Sequence, residues 1–374
     1  MIDSHLHIVS FDVPYPPNYG GVIDVFYKIN SLAKLGVKIH LHCFKYGREE
    51  AAILEEYCEE VHYYKRNLNK ALLIHSSPFI VVSRRDKKLL KNLRKDEYPI
   101  LFEGLHSCFS FSSIALRARR KYIRAHNIEH RYYRGLAHAT SSLFRKSYFK
   151  SEARKLESFE GIMKDAQKIF SISPSEKEEL SSRYSNVELI LPFHGNEEVV
   201  YSELKDPFVL YHGNLSVEEN NKAALFLVKE VFRSIPHRLI IAGNNPSREL
   251  TEAIERRENV TIKDHCSNAQ IFDLIRQAQI NILPTFQNTG IKLKLINVLF
   301  NGGHCLVNSM MIAKTGLEDC CVIEDKIENI RESIAHLMVK PFDKIDYEKR
   351  KVILFEKLSD ELNAQKLYDS IFKA

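Results

Sequence analysis

The chain has no tryptophan in its 374 residues. It also has no apolar run near the roughly 18 residues that would suggest a membrane span. Its start, "MIDSHLHIVSF", lacks the basic and then apolar regions of a secretory signal, so export is not expected. Seven cysteines are present. They are scattered, none forms C-x-x-C, and the adjacent Cys320 and Cys321 are poorly suited to a structural bridge, which points to a reduced, cytoplasmic protein. There is no G-x-G-x-x-G and no G-x-x-x-x-G-K-[ST], so dinucleotide and Walker-type phosphate sites are disfavoured. No Asp-x-Asp occurs, so the usual acidic pair for a divalent ion is missing.

What is present is the composition of a globular protein: 44% apolar, 27% charged, with 17 tyrosines and 21 phenylalanines for its cores. The length suggests two domains. The net charge of +6 is uneven: residues 1–165 hold 28 Lys/Arg and 18 Asp/Glu, or +10, and the remaining 26 against 30 give −4. Basic runs lie at "SRRDKKLLKNLRK" (83–95) and "RARRKYIR" (117–124). They read first as solvated helix faces and second as attraction to anionic lipid headgroups at the inner face of the membrane, or to an anionic acceptor. No motif for nucleic acid accompanies them.

Short β-branched or aromatic runs alternate with helical patterns. Strands are expected at 2–10, 37–44, 60–65, 78–83, 99–104, 121–126, 168–173 and 187–192. After a polar stretch they resume at 207–213, 237–243, 259–264, 280–285, 304–309 and 320–325. Helical segments fall between most of them, such as 22–35, 147–166, 219–234 and 268–278. This alternation predicts parallel sheets covered by helices on both faces. The expected architecture is α/β: two Rossmann-like, doubly wound domains, 1–200 and 201–342, facing a cleft lined by strand C-termini. A helical segment, 343–374, is expected to cross back to the first domain.

The stretch "RAHNIEHRYYR" contains His126-Asn127-Ile128-Glu129-His130, the H-x-x-E-H pattern of inverted zinc peptidases. A shared metal needs both imidazoles on one helical face. Here "KYIRAHN" reads as a strand running into a turn, with Asn127 as the helix N-cap, so the two histidines diverge. Glu152, Glu157 and Glu160 would be the places to seek a third ligand, but their helix reads as an ordinary amphipathic one. Phosphate chemistry has better support. Gly20-Gly21 opens a helix, where backbone and helix N-terminus can meet an anion. Gly213-Asn214 and Gly243-Asn244 stand at strand ends. Thr289-Gly290-Ile291-Lys292 marks another strand-to-helix junction, with exposed amides and with Lys292 or Lys294 as counter-charge.

Taken in order, "PPNYGGVIDVFYKINSLAKLGVKIHLHCF", "RAHNIEHRYY", "ISPSEKEEL", "HGNLSVEENNKAALFL" and "LPTFQNTGIKLKLINVLFNGG" resemble the GT-B nucleotide-sugar glycosyltransferases, especially the retaining, family-four-like enzymes. The resemblance spans nearly the whole chain. It implies that Gly20 and Gly21 face the donor diphosphate or the acceptor, and that His126 sits beside the transferred sugar. Asp264, His265 and Cys266 would lie near the base. Thr289 to Lys292 start the family's E-x7-E element, and Asn297 falls at its second glutamate, which normally bonds the ribose. Both glutamates are replaced, by Thr289 and Asn297, and the usual Gly-Arg is Gly213-Asn214. The expected activity is metal-independent hexosyl transfer from a UDP- or GDP-linked sugar to a hydroxyl of a glycan or lipid-linked acceptor, with retention, in surface polysaccharide or glycoconjugate biosynthesis. No cofactor beyond that co-substrate is expected. Glu103 and His106, ending "PILFEGLH", are either acceptor contacts or a buried polar pair. The alternatives are a catalytically impaired binding subunit and a nucleotide-sugar epimerase.

Overall fold

The computed structural model describes residues 4–140, 142–201, 208–286 and 293–373. The chain forms two compact units, Met1–Gly195 with Asp360–Ala374, and Asn196–Ser359. None of the described helices is long and apolar enough to cross a membrane.

The first unit runs β1 (His5–Ser10), α1 (Gly20–Lys34), β2 (Lys38–Lys45), β3 (Glu60–Lys65), α2 (Phe79–Val82), α3 (Lys87–Leu93), β4 (Ile100–Glu103) and β5 (Lys121–Ala125). It continues through α4 (Glu129–Ala139), α5 (Leu143–Phe159), β6 (Lys168–Ser171), α6 (Pro174–Ser181) and β7 (Val187–Leu189). Its seven strands are ordered β3-β2-β1-β4-β5-β6-β7, and every neighbour pair is parallel.

The second unit runs β8 (Val209–His212), α7 (Glu218–Phe226), β9 (Leu239–Ala242), α8 (Arg248–Glu255), β10 (Val260–Lys263), α9 (Asn268–Gln277) and β11 (Ile280–Leu283). Then come α10 (Leu293–Asn301), β12 (His304–Val307), α11 (Ser309–Ile312), β13 (Val322–Ile323), α12 (Ile327–Val339) and α13 (Lys344–Leu358). Its six strands are ordered β10-β9-β8-β11-β12-β13, again all parallel. In each unit the order reverses once, at β1/β4 and at β8/β11. Ligands of open α/β sheets bind at the strand C-termini of such a reversal.

The helical tail is two helices. The second, α14 (Asp360–Phe372), packs back on the first unit. Ala364, Leu367 and Ile371 join the core that α1 forms with Leu6, Ile8, Ile39 and Leu41. Asp360 accepts from the amides of His194 and Gly195 at 3.1 and 2.8 Å, which seats the start of the helix. Arg120 bonds the Ile371 carbonyl at 3.0 Å near its end, as the helix dipole favours.

One expected strand, 78–83, is instead the single-turn helix α2. Its β-branched run invites the strand reading, but no sheet edge is offered to it. Pro78 starts the turn, the Glu152 carboxylate takes the Phe79 amide at 2.6 Å, and Ile80 and Val81 bury against Leu156.

The face of β1–β3 opposite α1 carries His5, His7, His40, His42 and His62. A directed chain crosses it. Asp96, acting as an acceptor, takes the His7 Nε2 hydrogen at 3.0 Å, leaving Nδ1 to accept from His42 Nε2 at 2.9 Å. His42 Nδ1 then accepts from the Tyr64 hydroxyl at 2.8 Å, and Tyr64 accepts from Asn92 at 2.9 Å. Burial pushes His7 down to about 4 against the pull of Asp96, and pushes His42 well below the ordinary histidine range.

These rings are therefore neutral where unfolded histidines begin to take up protons. Stability is fully present above the unfolded value near 6.5 and falls as pH drops from there towards 4. Urea denaturation across that window should show His7 alone costing about 3 kcal/mol by its lower end.

Candidate active site

Unit one builds its site on charge. In "GGVIDVFYKI", Asp24 and Lys28 are one helical turn apart on the buried face of α1. Arg124 lies mid-strand on β5, where both sheet faces are covered, and Glu103 ends β4. All four are buried, with Lys28, Glu103 and Arg124 at 0% exposure. Lys28 Nζ donates to Asp24 Oδ2 at 2.8 Å and lies 2.9 and 3.0 Å from the two Glu103 oxygens. Arg124 grips Asp24 with Nη2 at 2.7 Å and Nε at 3.2 Å. Its Nη1 and Nη2 also reach the carbonyls of Ile190 at 2.5 Å and Leu191 at 3.1 Å.

The formal charges of these four groups cancel. Burial works to raise both carboxyls, but Arg124 and Lys28 overcome it at Asp24, and Lys28 and His126 overcome it at Glu103, so both are held below their ordinary values.

His126 stands on top of this network. Its Nε2 donates to Glu103 Oε2 at 2.8 Å and lies 3.9 Å from Asp24 Oδ2. Glu103, ionised, only accepts, which fixes a hydrogen on Nε2. The Phe11 ring meets His126 edge-on at 5.4 Å and His106 at 5.5 Å. Gly21 is glycine because a Cβ there would stand 2.6 Å from the tip of that ring. Gly20 and Gly21 form the first turn of α1, whose N-cap, Tyr19, supplies no side-chain cap. Tyr19 instead donates to Asp12 at 3.0 Å.

Asp24, Glu103 and His126 each bring a ligand atom within 4.8 Å of the others. The Lys28 ammonium bonds both carboxylates there, so an added metal ion would compete with it for them. Glu103, expected from sequence as either an acceptor contact or part of a buried polar pair, is fully buried, and its Oε2 accepts from both Lys28 and His126 while Oε1 lies 2.9 Å from Lys28 Nζ. It reaches any bound molecule through His126. His106 is partly exposed.

The H-x-x-E-H letters are split by the fold. His126 follows β5, and α4 begins at Glu129 with Ile128, not Asn127, as N-cap. His130 turns to another carboxylate, Glu160, with Nδ1 2.7 Å from Oε1, while Arg183 donates to Oε2 at 3.0 Å. Glu152 and Glu157 are committed to the Phe79 amide with Lys155, and to Arg134. Glu129 is different. It is buried, its Oε1 lacks a hydrogen-bond partner, and it lies 3.8 Å from the equally unpartnered His106 Nδ1. Burial, with Glu160 and Glu176 nearby, pushes Glu129 up to about 8, so it is a neutral acid at pH 7. Burial, with Arg84 and His126, pushes His106 well below the ordinary range.

Unit two builds on backbone. Gly213 follows β8 beside Gly243, which follows β9, and a Cβ on Gly243 would stand 1.8 Å from the Gly213 carbonyl oxygen. Leu215 N bonds the Asn244 carbonyl at 3.1 Å, joining the two turns. Asn220, on α7, bonds the Asn214 carbonyl at 2.9 Å and accepts from Lys294 Nζ at 2.9 Å. Lys294 lies 5.3 Å from the centre of the Tyr211 ring. With burial it depresses His212 to about 3. Lys222, the lysine of "EENNK", covers the Phe286 ring instead.

Asp264 accepts from the amides of His265 at 2.7 Å and Asn245 at 3.3 Å, and both donors have positive φ, 55° and 56°. Such backbone in non-glycine residues marks an imposed conformation. Asn297 Oδ1 accepts from Asn196 Nδ2 at 3.1 Å. Thr289, Gly290 and Lys292 lie outside the described residues. Asp24, Lys28, Arg124, Asn220 and His212 were not anticipated. The one local hint was the charged pair Asp24/Lys28 inside an apolar helical face.

The fold these units define is that of the GT-B glycosyltransferases. Sucrose-phosphate synthase from Thermosynechococcus elongatus superposes with a TM-score of 0.71 at 14% identity, covering 99% of each chain. HepE from Anabaena, solved with UDP and glucose, gives 0.67 at 11%, covering 99% of this chain and 100% of that one. The TarM G117R mutant from S. aureus, solved with fondaparinux, α-GlcNAc-glycerol and UDP, gives 0.67 at 10% with the same coverage. By sequence, the chain is 26% identical over 396 aligned residues, 98% of each chain, to an uncharacterized 44.6 kDa protein in the cps region of Klebsiella pneumoniae. No protein-family model matches the chain.

Two outcomes follow from the buried charges. Arg124→Met leaves Asp24 short of one partner and the Ile190 and Leu191 carbonyls without that donor, and should cost about 3–5 kcal/mol in urea denaturation. Glu129→Gln removes a carboxyl whose ionisation the fold resists. A raised carboxyl loses stability as pH climbs from its unfolded value towards about 8. The variant's stability relative to wild type should therefore rise by about 3 kcal/mol between pH 5 and 8.

Proposed function

We propose that this protein transfers a hexose from a UDP- or GDP-linked donor to a hydroxyl of a glycan or lipid-linked acceptor, with retention and without a metal ion, in surface polysaccharide synthesis. One observation carries the reading. Each doubly wound unit has its reversal point furnished for a different half of such a substrate: fixed imidazole and aromatic ring in one, closely apposed glycine turns with a lysine in the other.

The chemistry follows from the charges involved. A nucleoside diphosphate leaves with growing negative charge, which helix N-termini and amides can meet without reorganising. Lys294, with Lys292, is the cation assigned to that charge, since Asn214 stands where relatives of this type carry arginine. Gly213 and Gly243 keep side chains out of the diphosphate's path, and Asn244, Asp264 and His265 are assigned to the nucleoside. Thr289 and Gly290 are assigned to the phosphate turn. Asn297 can still bond a ribose hydroxyl through its amide.

In unit one, His126 orients the transferred sugar, with Glu103 and Lys28 fixing its tautomer and angle. His106 is assigned to the acceptor. Retention places attack and departure on one face of the sugar, so the acceptor proton can pass to the leaving phosphate and no side-chain base is required. The cps-region relative supports the pathway, and HepE and TarM, both solved with UDP, support the donor class.

A binding subunit without turnover is the second reading. Asn297, in place of a carboxylate, already spends its Oδ1 on Asn196.

Thermal shift against UDP, GDP, ADP and CMP tests both readings. One nucleotide at about 100 times its dissociation constant should add about 2.7 kcal/mol of stability. His126→Ala should keep that shift and lose about 100-fold or more in transfer. No shift with any nucleotide overturns the proposal. Binding with neither transfer nor donor isomerisation across a donor and acceptor panel selects the binding subunit, and isomerisation without acceptor selects an epimerase.

A further inference from the structure

The helical hairpin α4–α5 carries a surface that the transfer chemistry does not use. Its base is anchored: Leu156 is buried with Ile80 and Val81, and Tyr133 and Phe159 pack against them. Its tip is not. Leu143 and Phe144, adjacent at the start of α5, are each 83% exposed.

Cations surround them. Residues 129–159 hold seven Lys/Arg against three Asp/Glu, and two of those acids, Glu129 and Glu152, are buried. The third, Glu157, pairs with Arg134. Arg145, Lys146, Lys150 and Arg154 pair with no carboxylate among the described residues. Between the helices lies a cavity of about 320 Å³ lined by Arg134, Ala137, His138, Lys150, Ala153 and Arg154, with no acidic side chain on its wall.

Of the twelve cations in the basic runs that stand out in the sequence, four are buried in the fold and the other eight, among them Arg85, Lys87 and Lys88, are exposed. Arg84 and Lys121 bond the carbonyls of Phe11 and Phe111 at 2.8 Å. Arg119 bonds those of Leu93, Asp96 and Tyr98, and Arg124 belongs to the network beneath His126.

We propose that the tip of the α4–α5 hairpin docks this protein on an anionic lipid bilayer, with Leu143 and Phe144 entering the interface and Arg145, Lys146, Lys150 and Arg154 meeting lipid phosphates. Two apolar side chains beside unpaired cations suit a charged interface with hydrocarbon beneath it. They fall far short of the roughly 800 Å² per partner that a stable protein–protein contact needs. Helix α4 starts three residues after His126 and runs 11 residues to the tip, about 16 Å of helix. A docked hairpin therefore holds the first unit's site near the membrane surface. The docking stands on this surface alone and does not require the transfer reading.

Co-sedimentation of the full chain with vesicles tests it. Phosphatidylcholine vesicles containing phosphatidylglycerol should pull the protein down at low salt and release it at high salt, and phosphatidylcholine alone should not. Lys150→Gln with Arg154→Gln should lower partitioning about 25-fold, at about fivefold per charge. Leu143→Ser with Phe144→Ser should lower it about tenfold or more, while circular dichroism and any nucleotide thermal shift stay as in wild type.

No binding to anionic vesicles, or undiminished binding by both variants, overturns the proposal. A change of sedimentation coefficient from dimer to monomer in the Leu143/Phe144 variant, without vesicles, also overturns it and assigns the tip to a second copy of the chain. A phosphatidylglycerol effect that survives while all nucleotides fail to bind leaves docking standing and removes only the transferase.

Discussion

Asp24 is the hinge of the first unit's energetics. A carboxylate this deeply buried would be prohibitively costly alone, and it is tolerable only because Arg124 and Lys28 surround it. Each cation is then obliged to satisfy its remaining donors, which ties α1, β4, β5 and the 190–193 segment to one point. Arginine suits the position because its planar fork serves Asp24 and two carbonyls at once, and it stays charged when buried. The network is neutral overall, so it can be buried as a unit, and breaking it anywhere strands a charge. His126 inherits its rigidity from this arrangement: an imidazole held by an ionised, fully packed carboxylate keeps one tautomer and one orientation.

The second unit solves a related problem with less charge. Its strand ends are shaped by backbone, with Gly213 and Gly243 so close that a side chain on the latter is impossible. Asp264 fixes the next turn through two amides rather than through a salt bridge to a distant element. Backbone amides at such turns supply hydrogen-bond donors at no cost in ionisation. Lys294 is the cation beside these turns. It is aimed by Asn220 and the Tyr211 face, and its proximity contributes to keeping His212 neutral.

Histidine shows how far context governs chemistry here. His7 and His42 are neutral links in a chain ending on Asp96, His130 braces Glu160, and His126 is oriented by Glu103. The letters H-x-x-E-H therefore describe no shared site, because a strand end and a helix divide them. Basic residues behave alike. The runs conspicuous by density bury Arg84, Arg119, Lys121 and Arg124 and leave their other cations exposed, and the sparser cations of α5 lie beside two bare apolar side chains.

Much was legible in order. Alternating β-branched strands and amphipathic helices, glycines at strand ends and a polar break after the eighth expected strand lead to two parallel α/β units, because periodicity and turn chemistry act over a few residues. The segment 78–83 misled for the same reason. Its local pattern favours a strand, and only Glu152 and Leu156, about 70 residues away, show that no edge receives it. Glu103 was visible as a polar strand end, but its partners Lys28 and His126 lie 75 and 23 residues away in the chain. The sequence by itself determined the elements, their alternation and the glycine turns at the reversal points. Only the tertiary structure decided which charges are buried together, because burial and ion pairing depend on distances between remote strands that no local pattern encodes.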